Sequence, residues 1–131
     1  MILIFGGAYQ GKLAYALKRS GLTEDDVYYC GENDAGTPTG RKIIYELDKW
    51  MLALVKAGAD PGPALLRFIE KNPDALVICN DISCGVVPVD ETLRKWREAV
   101  GRSLAELSRV SDETVRLFCG IPAVLKLKET I

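Results

Sequence analysis

The residues Gly6-Gly7-Ala8-Tyr9-Gln10-Gly11-Lys12 form a G-x-x-x-x-G-K run that follows the apolar segment Met1 to Phe5 and precedes a stretch of helical periodicity. Strand, glycine loop and helix in that order are the setting in which such a run cradles phosphate. Glycines at both ends let the backbone curl so that successive N–H groups point inward, with the positive end of the helix dipole behind them. Lys12 then reaches the β and γ phosphates of a bound nucleotide, ATP or GTP, and Gly6 to Leu13 line it. The bland alternative is a glycine-rich turn with a solvated lysine.

After the lysine this motif normally carries Ser or Thr, whose hydroxyl ligates Mg²⁺, and here the position is Leu13. The cradle survives this change, while a magnesium ion loses one protein ligand. Acidic replacements are expected at strand ends on the same edge of the sheet, where open α/β sheets place their ligands. Asp81 follows "LVICN" and Glu46 follows "KIIY", so these two are the candidates to hold magnesium and to act with Lys12 in catalysis. Asp48 competes with Glu46, because a strand end read from sequence is uncertain by about two residues. For each carboxylate the alternative is a solvated strand end or a helix cap.

The elements that must position these groups alternate. Short apolar runs at Met1 to Phe5, Val27 to Cys30, Lys42 to Tyr45, Leu76 to Cys79, Val115 to Phe118 and Ala123 to Leu127 read as strands. Between them, helices are expected from Gly11 to about Arg19 with Gly21 as the stop, from Leu47 to Gly58, from an Asp60 cap to Asn72-Pro73, and from an Asp90 cap onward. In the third, Leu65, Leu66 and Ile69 recur at helical spacing. The last carries a stripe of Leu93, Trp96, Val100, Leu104 and Leu107 that should pack on the sheet. This pattern predicts an α/β, P-loop-type three-layer fold over residues 1–131, a single domain with a mainly parallel sheet of about five to six strands flanked by helices. The segment "GENDAGTPTGR" at Gly31 to Arg41 is the clearest loop and a candidate mobile lid.

Composition narrows the function classes. A chain of 131 residues with 48% hydrophobic content buries one core unaided. Seventeen basic and 18 acidic residues leave a net charge of −1, no footprint for nucleic acid or an anionic membrane surface. No apolar run reaches a membrane span, and "MILIF" runs into glycines without a charged leader, which predicts a cytoplasmic protein. Cys30, Cys79, Cys84 and Cys119 are scattered and read as reduced thiols; with no histidine and no C-x-x-C pair, zinc is not expected.

With these residues in view, the chain resembles a known family. "ILIFGGAYQGKLAYA" at residues 2–16 is similar to the "ILVTGGARSGKS" opening of the bifunctional adenosylcobinamide kinase/adenosylcobinamide-phosphate guanylyltransferases of cobalamin biosynthesis. "VICNDISCGVVP" at residues 77–88 resembles that family's "VLVTNEVGMGIVP". Arg94, Arg97-Glu98 and Gly101-Arg102 resemble its "R…RD…GR" helix, and "CGIPAVLK" at residues 119–126 its closing strand and turn. The likeness covers the two ends of the chain and not the middle.

The resemblance implies a parallel-sheet fold, nucleotide binding at Gly6 to Lys12, phosphorylation of the aminopropanol hydroxyl of adenosylcobinamide, and transfer of GMP from GTP. Asn80 and Asp81 match the family's asparagine and the acid after it, and family members tend to associate as trimers. The family's guanylyl transfer passes through a histidine, and this chain has none. Thr37 and Thr39 in the shortened loop lack a neighbouring base, so that transfer is not expected. Leu104-Ala105 also stands where the family often has Asn-Gln. Two readings follow: a kinase without guanylyltransferase activity, or a divergent member that binds a nucleotide or corrinoid without turning it over.

Overall fold

The computed structural model describes residues 1–82 and 90–127. The elements are β1 (Ile2–Gly6), α1 (Lys12–Ser20), β2 (Val27–Tyr29), β3 (Ile43–Tyr45), α2 (Leu47–Lys56), α3 (Pro61–Lys71), β4 (Leu76–Asn80), α4 (Glu91–Val110), β5 (Glu113–Phe118) and β6 (Ile121–Leu127). All six strands join one sheet in the order β2-β3-β4-β1-β5-β6. The first five are parallel, and β6 pairs antiparallel to β5 across a tight hairpin. The architecture is α/β, a mostly parallel sheet with helices on both faces. The Cys84 and Gly85 to Pro88 part of the family-like segment lies outside the described residues.

Alternation along the central strands divides the core. Leu3, Ile44, Val77 and Cys79 turn to the face covered by α2, α3 and α4, while Ile4, Ile43, Ile78 and Val115 turn to the face covered by α1. Connection handedness explains this division. A crossover between parallel strands is right-handed, so the side on which its helix lies depends on the direction of travel along the sheet. From β1 the chain moves outward over β4 and β3 to β2, and α1 covers one face; the β3-to-β4 and β4-to-β5 connections move the other way, and their helices cover the opposite face. Neighbouring β1 and β4 therefore send their connections in opposite directions. The crevice at their carboxyl ends is the topological switch point.

Helix ends follow their expected chemistry. Asp60 and Asp90 cap α3 and α4, accepting from the N–H groups of Gly62 and Leu93 at 3.0 Å each. Gly21 ends α1 at φ 73°, a conformation that suits glycine. The stripe on α4 is buried from Ala99 to Leu107, but Leu93 is exposed. Trp96 lies beside Asp48 in the first turn of α2, so the turn holding Leu93 overhangs the start of that helix. Leu66 on α3 is also exposed, beside the buried Leu65.

The loop from Gly31 to Arg41 is docked and does not form a free lid. Trp50 Nε1 donates to Ala35 O at 3.2 Å, and buried Asn72 donates through Nδ2 to Pro38 O at 2.9 Å. Two side chains of the helical layer thus satisfy carbonyls of a loop that the sequence marks only as polar. Beneath it Trp50 and Phe68 pack with ring centroids 5.4 Å apart, both essentially buried. Phe68→Ala should lower the unfolding free energy by about 3–5 kcal/mol, as large-to-small core changes do. Urea denaturation measures the loss, and a value under about 1 kcal/mol would contradict this packing.

Candidate functional site

β1 ends at Gly6, and the chain leaves the sheet there under a severe steric constraint. Gly6 adopts φ 151°, and a Cβ at this position would lie 2.4 Å from Leu117 O of β5. Any side chain would push the loop off the sheet. The loop runs through Gly7, Ala8 and Tyr9 at the surface and returns at Gly11, whose left-handed φ of 83° starts α1. Tyr9 stands fully exposed at the apex with φ 60°, so its ring leaves the loop interior open.

Gln10 joins the loop to the far hairpin. Its carbonyl accepts from Gly120 N at 3.1 Å and its side-chain Oε1 accepts from Cys119 N at 2.5 Å. Cys119 and Gly120 make the two-residue β5–β6 turn, both at positive φ. Sequence reasoning placed Gln10 only in the lining; nothing in the sequence signals a partner 109 residues away.

Lys12 is the chemical centre of the loop. Its residue is 4% exposed, and Nζ donates to Gly7 O at 2.5 Å. Burial pushes its ammonium below the ordinary lysine value, against the opposing pull of Asp48, Cys79 and Glu46. Leu13, next along, packs against the apolar layer beneath α1. It therefore contributes a core contact where the motif's hydroxyl would serve a metal.

Of the acids, Asp48 is the buried one. Its Oδ1 accepts from Asn80 N at 3.0 Å and its Oδ2 from Asn80 Nδ2 at 3.3 Å. Its own carbonyl accepts from Trp96 Nε1 at 2.7 Å, which fixes α4 against the start of α2. Burial raises the Asp48 carboxyl above the usual range, opposed by the hydrogen bonds from Asn80. Glu46 instead sits at φ 59° just before α2 and pairs with Lys49 at 2.7 Å. Asp81 directly follows β4, where its N–H donates to Gly6 O at 2.8 Å across the crevice. The structure thus brings Lys12, Asp48 and Asn80 together, with Asp81 bordering the loop through its backbone.

Mg²⁺ takes oxygen ligands in near-octahedral array, most of them waters and substrate phosphates beside one or two carboxylates. Leu13 has no oxygen on its side chain, Asp48 oxygens accept from Asn80 and Glu46 pairs with Lys49, so of the expected ligands Glu46 and Asp81 would hold such an ion together with waters and phosphate oxygens. Among the described residues no group of three or more carboxylate or thiol side chains is gathered to hold a metal. No helix among them is long and apolar enough to cross a membrane. The chain matches no protein-family model and no curated protein.

The raised Asp48 carboxyl has a definite sign in stability. Just above its ordinary value of 3.8, the native state binds more protons than the unfolded chain, so this group makes stability fall as pH rises through that window. Asp48→Asn removes that dependence. The unfolding free energy of the wild type minus that of the variant should therefore decrease as pH rises from 3.8. Urea denaturation at successive pH values checks it, and a difference that grows with pH would contradict the assignment.

Proposed function

We propose that this chain binds the phosphates of a nucleotide, ATP or GTP, in the loop from Gly6 to Lys12. The observation that carries the reading is a buried lysine curled into a glycine-bounded loop at the switch point between β1 and β4. With Nζ on Gly7 O, the ammonium occupies the mouth of the cradle and needs only to swing from a carbonyl to a phosphate oxygen. The N–H groups of the loop and the start of α1 supply the remaining donors. The latch from Gln10 to the β5–β6 turn holds this backbone in place before the ligand arrives, which limits the ordering cost of binding.

Within the family that the sequence resembles, this makes the chain a short, divergent relative of adenosylcobinamide kinase/adenosylcobinamide-phosphate guanylyltransferase, with adenosylcobinamide as a partner and a homotrimer as the family's assembly. Absence of histidine removes the guanylyl step. Leu13 packed against the apolar layer under α1 and both acids of the β3–α2 junction held in other pairings favour binding over turnover. A kinase reading is supported by Asp81, whose N–H meets Gly6 O where the loop begins and which corresponds in position to the family's acid.

Calorimetric titration with ATP, GTP and inorganic tripolyphosphate tests the phosphate site. Lys12→Ala should weaken binding by at least about tenfold, the loss of one charge-assisted contact. Unchanged affinity would remove Lys12 from the site. Because burial holds the lysine below its ordinary value and a phosphate beside it restores the charge, binding in alkaline buffer should take up protons. Titrations in buffers of different ionisation enthalpy read that uptake, and net proton release would contradict it. Incubation with nucleotide, magnesium and adenosylcobinamide separates the two readings: unchanged corrinoid marks the binder, a phosphorylated corrinoid the kinase.

A further inference from the structure

The two-residue turn between β5 and β6 leaves two donors unspent by its own hairpin. Phe118 and Ile121 close the ladder as cross-strand partners, so the N–H groups of Cys119 and Gly120, both at positive φ, must find acceptors elsewhere. Gln10 supplies both: its carbonyl accepts from Gly120 N at 3.1 Å and its Oε1 from Cys119 N at 2.5 Å. Gly11 beside it is seated on the same turn, since a Cβ there would lie 4.0 Å from Gly120 Cα and from Leu117 Cδ2. Gly7, Ala8 and Tyr9 at the apex are exposed, so the loop is steadied from its two ends, at Gly6 by Asp81 N–H and at Gln10 by the turn. The hairpin that provides this second support is peripheral. β6 is an edge strand, exposed along its seven residues and paired with β5 alone. Its far end is fixed to α4 by Lys126, whose Nζ donates to Ser108 O at 3.0 Å and Arg109 O at 2.8 Å. An element with exposed hydrogen bonds and little buried apolar surface opens locally at lower cost than the core.

We infer that Gln10 is a positioning residue that makes the phosphate loop and the β5–β6 hairpin open and close as one unit, so that the ordering of an edge hairpin regulates phosphate binding. The inference rests on the reading of Gly6 to Lys12 as a phosphate site and adds its control. With the turn seated, the loop N–H groups are already fixed and the ligand is spared the cost of ordering them; with the hairpin swung away, that cost returns. Linkage makes the effect reciprocal. Phosphate in the loop stabilises the seated hairpin by the same factor by which the seated hairpin strengthens binding. Glutamine suits the position, because its side chain brings an acceptor to Cys119 N without a charge. Glutamate would bring the same acceptor with a negative charge beside the phosphates.

Amide hydrogen exchange of the full chain with and without saturating inorganic tripolyphosphate tests the coupling, alongside calorimetric affinities. In the wild type the ligand should slow exchange about tenfold at Gly7 to Lys12 and also at Cys119, Gly120 and along β6. Gln10→Ala should weaken binding about tenfold and confine the slowing to the loop. Gln10→Glu should also bind more weakly, through its charge, yet keep the slowing in the hairpin because the acceptor remains. Lys126→Ala frees the far end of the hairpin; it should cost about two- to threefold in affinity in the wild type and nothing further beside Gln10→Ala. Unchanged exchange in β4 and α4 verifies that the variants fold, and the wild-type exchange and Lys126→Ala decide the matter even if Gln10→Ala does not. Slowing confined to the loop in the wild type, or losses from Gln10→Ala and Lys126→Ala that simply add, would overturn the coupling and leave the phosphate site standing. A wild type that does not bind tripolyphosphate removes both.

Discussion

A buried ammonium at the end of the central strand constrains everything around it. Lys12 is nearly removed from solvent, and a charge in that position is stable only if nearby dipoles and anions offset its lost hydration. Gly7 O supplies the dipole, and Asp48 and Glu46 supply the field. Asp48 is itself buried and needs donors of its own, which Asn80 provides from both its backbone and its side chain. The carbonyl of the same aspartate then takes the indole N–H of Trp96. One cation thus commits residues of the β1–α1 loop, α1, α2, β4 and α4 to a single arrangement beside the crevice between β1 and β4.

The loop around the lysine is held from behind as well. Gly6 passes Leu117 too closely for any side chain, and Gln10 grips both residues of the β5–β6 turn. Tyr9 in the loop and Cys119 in the turn both carry positive φ without being glycine. Such residues persist where surrounding contacts over-determine them, as they do at ligand clamps. A rigid loop with an internally satisfied lysine can exchange one acceptor for another without rebuilding its backbone.

Much of this frame is legible in the chain. The strand runs, the Asp60 and Asp90 caps and the Gly21 stop are all local signals, and each holds in the structure because nothing in the tertiary fold competes with it. The hairpin strand β6 begins two residues earlier than its apolar pattern suggests, since Pro122 still pairs opposite Leu117. What the sequence leaves obscure lies across long separations. Asp48 and Glu46 differ in role because β3 ends at Tyr45 and Glu46 turns left-handed, carrying the next aspartate inward; a shift of one or two residues decides between them. The Gly31 to Arg41 loop looks mobile by composition, yet Trp50 and Asn72 reach out of the helical layer to hold it. Leu13 reads as a defective metal ligand in the motif and is a packing residue in the amphipathic face of α1.

The claim at the centre is that phosphate enters the Gly6 to Lys12 loop and replaces Gly7 O on the lysine. An amide NMR titration with inorganic tripolyphosphate addresses it without reference to any base or second substrate. Saturable shifts should concentrate at the N–H groups of Gly7 to Lys12, with Cys119 and Gly120 following through the Gln10 latch. Saturable shifts centred elsewhere, such as the groove between α3 and α4 lined by Leu66, Lys95 and Arg102, with the loop amides unmoved, would contradict it.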